Sequence, residues 1–103
     1  MTLFGIPDCP VCLEEGVLVG LKAKEFGDVV FYCPSCAIAE RRPPSAVNPP
    51  EVLDLKDLAP SGVMVASRGE LEAAAFAVEE LPYQSLWEAQ LQRRLARIWA
   101  ADT

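Results

Sequence analysis

The sequence predicts a small α+β fold: an N-terminal β-hairpin carrying two cysteine pairs, followed by an αα-hairpin. Three observations lead there. All four cysteines fall in two C-P-x-C pairs, Cys9-Pro10-Val11-Cys12 and Cys33-Pro34-Ser35-Cys36, with twenty residues between them. Those residues hold two apolar, β-branched runs about a glycine-containing turn. Beyond a proline-rich stretch, two S-x-x-E boxes each precede apolar residues at helical spacing.

Two C-x-x-C pairs at this separation form the pattern of a tetrahedral four-thiolate zinc site, with Cys9, Cys12, Cys33 and Cys36 as ligands. A C-x-x-C turn presents two sulfurs to one metal, and the proline after its first cysteine presets φ for that turn. One pair supplies half a tetrahedron. The other must be returned to it, and a hairpin is the shortest return. The chain has no histidine to compete as a ligand. A thioredoxin-type dithiol needs one C-x-x-C ahead of a helix in a βαβ setting, and that context is missing. Disulfides belong to oxidising compartments. Met1-Thr2-Leu3-Phe4 runs directly into the first pair without a leader, so reduced thiols and a cytoplasmic location are expected.

Taken in order, residues 3–7 read as a short strand leading to the first pair. Gly16 closes the turn after Cys12. Residues 16–22 alternate, placing Val17, Val19 and Leu21 on one face and Leu18, Gly20 and Lys22 on the other. Residues 24–28 form the turn, where Gly27 is free to take positive φ. Val29–Tyr32 is the returning strand that delivers Cys33.

This knuckle, hairpin, knuckle order over residues 3–40 resembles a zinc ribbon. The likeness rests on Cys9, Cys12, Cys33 and Cys36 and on the hairpin between them. In many ribbons a glycine follows the second cysteine of a knuckle; here Leu13 and Ala37 stand there. The resemblance implies the fold and one structural Zn2+. It does not imply one activity, since zinc ribbons serve as nucleic-acid binders, as parts of transcription machinery and as protein-docking modules. Rubredoxins share the two-knuckle layout and hold redox iron, with pairs set further apart and a dense aromatic core. Phe4, Phe26, Phe31 and Tyr32 would supply that core, which makes iron the alternative metal. A ribbon this short lacks an apolar core of its own, so metal ligation is expected to hold it.

The chain thus divides into a ribbon over 1–40, a linker over 41–50 and a helical region over 51–103. Pro43, Pro44, Pro49 and Pro50 forbid helix and favour an extended path in the linker. Residues 51–58 are expected as a short helix behind Pro50, and residues 63–66 as a short extended piece. Ser67 and Glu70 form a capping box for a helix over 68–81, with Leu71, Ala74, Ala75 and Val78 as its buried stripe. Pro82 ends it. Ser85 and Glu88 form a second box for a helix over 86–100, with Trp87, Leu91, Leu95, Ile98 and Trp99 on one face.

Composition bounds the function. With 51% hydrophobic and 23% charged residues among 103, the chain is globular, and no apolar run is long enough to span a bilayer. The net charge is −6, and both halves are acidic, residues 1–42 at −2 and residues 43–103 at −4. Phosphate backbones repel such a surface unless cations gather in a patch. Arg41, Arg42, Arg93, Arg94 and Arg97 are the candidates for one. No phosphate-cradling glycine loop, paired general acid and base or small-molecule substrate site is evident. Four thiolate ligands also leave a zinc ion no open position for catalysis.

The leading expectation is a non-enzymatic adaptor or regulatory protein that docks on another protein or on a second copy. The first helix presents mostly alanine, so Trp87, Leu91 and Trp99 would be the contact. A nucleic-acid-associated ribbon using the five arginines is the second expectation, and an electron-transfer iron protein the third.

Overall fold

The structure, a computed structural model, describes residues 2–7, 9, 16–41 and 54–100. Cys12, Arg42 and the proline run over 43–50 lie outside the described residues, as does the start of the helix expected over 51–58.

Among the described residues nine elements follow in order: β1 (Phe4–Ile6), β2 (Leu18–Ala23), β3 (Val29–Tyr32), β4 (Ala39–Glu40), α1 (Leu55–Leu58), β5 (Val63–Val65), α2 (Arg68–Ala73), β6 (Glu79–Glu80) and α3 (Gln84–Ala100). The strands form one antiparallel sheet in the order β4-β3-β2-β1-β6. β2 is its axis. One edge pairs with β3, from Val19 opposite Tyr32 to Lys22 opposite Val29. The other edge is shared: β1 takes Leu18 and Val19, and β5 takes Leu21 to Ala23. β6 closes the far side, with Phe4 opposite Glu80. The two-residue alternation of β2 sorts its side chains as expected. Val17, Val19 and Leu21 join a core with Leu3, Tyr32, Leu55, Trp87 and Leu91. Leu18 joins the opposite core with Phe31, Cys33 and Leu71. Both faces are covered, which is why five of the six residues of β2 are buried.

Local chemistry explains the helix starts. Asp54 caps α1, accepting from the backbone N–H of Lys56 at 3.0 Å. At α2 the expected capping box forms: Ser67 Oγ accepts from Glu70 N at 3.2 Å, and Ser67 N donates to Glu70 Oε1 at 3.1 Å.

The αα-hairpin does not form. The helix expected over 68–81 ends at Ala73, and residues 79–80 are a strand. The stop is a Schellman motif: Phe76 N donates to Leu71 O at 3.1 Å and Ala75 N to Glu72 O at 2.9 Å. Ala75 takes φ of +70° to allow it. The chain then turns Phe76 edge-on to Phe31, with ring centroids 5.0 Å apart, and buries Val78 in the same core. Of the predicted stripe, Leu71 and Val78 are buried while Ala74 and Ala75 are exposed. Tertiary packing of Phe76 thus overrides the helix preference of the alanine run.

α3 begins at Gln84, so Ser85 lies within its first turn instead of capping it. Gln84 makes the join. Its Oε1 accepts from Leu3 N at 2.6 Å, and its Nε2 donates to Leu3 O at 2.8 Å and Leu81 O at 2.7 Å. The side-chain amide pairs with Leu3, just ahead of β1, much as a strand backbone would. No helix among the described residues is long and apolar enough to cross a membrane.

Candidate metal centre

Three of the four predicted ligands meet. The sulfurs of Cys9, Cys33 and Cys36 all lie within 4.8 Å of one another, and Cys9 Sγ is 3.7 Å from Cys36 Sγ. Cys12 is outside the described residues. Cys9 and Cys33 are fully buried, and Cys36 is half-buried. Packing helps hold them, since Cys9 and Cys33 belong to the core of Leu18, Phe31 and Leu71, with Cys36 against its edge.

Backbone hydrogen bonds fix each position. Cys9 N donates to Gly16 O at 3.0 Å. Cys33 leaves the end of β3 and its N–H donates to Ile38 O at 3.0 Å. Between them Ala37 N donates to Cys33 O at 2.8 Å, with Ala37 at φ +64°. The residue that stands where many ribbons have glycine therefore adopts the conformation glycine favours. Cys36 N points at Cys33 Sγ from 3.5 Å, a hydrogen bond that favours the thiolate. Three convergent thiols, two of them shielded from water, suit a soft divalent cation.

The predicted partner residues fall elsewhere. Trp87 and Leu91, 8% and 2% exposed, are core residues, and Trp99 packs half-buried on the same cluster. The sheet of the same chain covers the helix face that the sequence left unmatched. Among the described residues, the large exposed apolar side chains are Phe26, Met64, Tyr83 and Leu86.

The arginines separate. Arg41 follows β4, while Arg93, Arg94 and Arg97 line a cleft of about 190 Å³ with Gln90 and Pro34. Arg94 reaches out of that group into the second cysteine loop. Its Nε donates to Pro34 O and its Nη2 to Ser35 O, each at 3.0 Å. Burial pushes the pKa of Tyr32, which precedes Cys33, above its ordinary value, and the Arg94 charge opposes that rise. Nothing in the arrangement of the sequence announced the Arg94 contact, because a loop sixty residues away supplies its acceptors.

Compared with protein-family models, curated proteins and solved structures, the chain matches none.

Proposed function

We propose that residues 3–40 form a zinc ribbon in which Cys12 joins Cys9, Cys33 and Cys36 around one structural Zn2+, and that the chain is a non-enzymatic adaptor acting by docking on another protein. The convergence of three sulfurs within 4.8 Å, two of them fully buried, carries this reading. A buried four-thiolate ion has no position for a substrate or an activated water, so the metal would hold structure and leave function to the surface. That surface is acidic, in keeping with a net charge of −6, and favours basic or neutral protein partners over phosphate backbones. With Trp87 and Leu91 inside the core, the contact belongs to the outer residues rather than to the tryptophan face. The ligand set and reduced thiols fit a cytoplasmic protein.

A second reading, a nucleic-acid-associated ribbon of transcription or translation machinery, is favoured by the clustering of Arg93 and Arg97 at one cleft. Metal analysis of the native protein and capture of partners at two salt concentrations test both. One equivalent of zinc, and a protein partner retained after nuclease treatment and moderate salt, are expected. A red iron-loaded protein would replace the adaptor with the electron-transfer reading. Recovery that vanishes with nuclease and salt would favour the arginines.

A further inference from the structure

We infer that Arg94 is a positioning residue for the metal centre: by gripping two consecutive carbonyls of the Cys33–Cys36 loop, it aims the loop's amide at the Cys33 sulfur. This rests on the metal reading above and adds to it a residue from α3, far from the cysteines in sequence.

The argument is one of peptide geometry. Ser35 O and Cys36 N belong to the same planar peptide, and in a trans peptide the C=O and N–H point to opposite sides. Arg94 Nη2 holds Ser35 O at 3.0 Å, and on the other side Cys36 N reaches Cys33 Sγ at 3.5 Å. Fixing one end of that plane therefore fixes the other. Arg94 Nε holds the preceding carbonyl, Pro34 O, at 3.0 Å, which prevents the plane from rotating about its own axis. Two carbonyls one residue apart, gripped by two nitrogens of one planar group, need the guanidinium fork. A lysine ammonium is a single point and cannot hold both in register. Amide donation to a thiolate stabilises the ionised sulfur and with it the metal bond, so a group that sets the amide's direction acts as an outer-sphere partner of the ligand. Arg93 lines the same cleft with the same charge, but it is exposed and its side chain makes no hydrogen bond to the described residues, which supplies a matched control.

The test uses the full chain loaded with Co2+ or Zn2+ alone. Affinities are measured by chelator competition for wild type, Arg94→Gln, Arg94→Lys and Arg93→Gln, together with the thiolate-to-Co2+ charge-transfer band. Arg94→Gln and Arg94→Lys are expected to weaken binding about 10–100-fold and to shift that band. Arg93→Gln should leave both unchanged. Arg94 variants that bind like wild type with an unshifted band would overturn the inference. So would an equal loss in Arg93→Gln, since that would assign the effect to charge alone. Should the Arg94 variants fail to fold, wild-type protein loaded with 113Cd decides: scalar coupling from the metal to the Cys36 amide proton is expected, and its absence overturns the proposal. A wild type that binds none of these ions would remove the metal reading itself, an outcome distinct from intact binding that is indifferent to Arg94.

Discussion

Leu71 of α2 lies directly over Gly20 of β2. A Cβ placed on Gly20 would stand 2.6 Å from Leu71 Cδ1 and 2.8 Å from its Cδ2. The glycine is there for close approach of helix to sheet, not for an unusual φ. Gly20→Ala should therefore push Leu71 out of its core and cost about 1–3 kcal/mol, the range for overpacking. The double variant with Leu71→Ala should lose less stability than the sum of the two single losses. Denaturant unfolding of the four proteins measures that coupling.

Ala37 and Ala75 both sit in the left-handed region, at φ +64° and +70°, and both are exposed. That conformation costs an alanine about 1–2 kcal/mol, while glycine enters it freely but loses more entropy on folding. Ala75→Gly and Ala37→Gly are each expected to stabilise the fold by about 0.5–1 kcal/mol. Thermal unfolding of the metal-loaded protein checks both. A loss of stability at Ala75→Gly would mean that the Schellman stop is not the conformation in solution.

Gln84 satisfies Leu3 N, Leu3 O and Leu81 O with one amide. Gln84→Ala leaves a part-buried donor and two carbonyls without these partners, which should cost about 2–3 kcal/mol. Gln84→Glu should be no better. A carboxylate still accepts from Leu3 N but cannot donate to two carbonyls. Faster exchange of the Leu81 amide, which donates to Leu3 O at 3.1 Å, in both variants would locate the loss at the β1–β6 edge.

Glu70 is held down to a pKa of about 2, first by its hydrogen bond from Lys22 and then by the capping bonds with Ser67. Its ordinary value is 4.5, so the folded state binds the proton more weakly than the unfolded chain. The stabilisation is fully present above pH 4.5 and is lost as the pH falls through about 2. Carboxyl NMR should show the low midpoint directly. Lys22→Met should raise it, yet leave it below the ordinary value because the Ser67 bonds remain. An unchanged midpoint would deny the Lys22–Glu70 bridge between β2 and α2.

Metal removal should act on structure before it acts on any contact. Cys9 and Cys33 are core residues, and ligation is worth about 10 kcal/mol or more of apparent folding free energy in small zinc domains. Chelator or Cys33→Ser should collapse the NMR dispersion of residues 3–40. A well-dispersed spectrum without metal would show that packing alone suffices.

Much of this was legible where local chemistry decides the outcome. The alternation of β2, the turn at Gly27, the Ser67–Glu70 box and the amphipathic stripe of α3 each depend on neighbours within a few residues. The convergence of Cys9, Cys33 and Cys36 followed from their pairing pattern. What stayed hidden depends on distant partners. Ala73-Ala74-Ala75 carries the strongest helix preference, and only Phe31, supplied by β3, explains why the chain leaves the helix to bury Phe76. Glu79 and Glu80 have neither apolar alternation nor β preference, and become a strand because β1 offers them an edge. Trp87 looked unmatched while its sheet could not be seen.

The Leu3–Gln84 pairing spans 81 residues, whereas the four cysteines all lie within the first 36. As the chain leaves the ribosome, the hairpin and the second cysteine pair emerge long before the residues that complete β1's second edge. Closure of the sheet at β1 therefore comes late in synthesis, after both cysteine pairs have been made. In that interval the N-terminal strand carries an unpaired edge, open to wrong strands from its own chain or another.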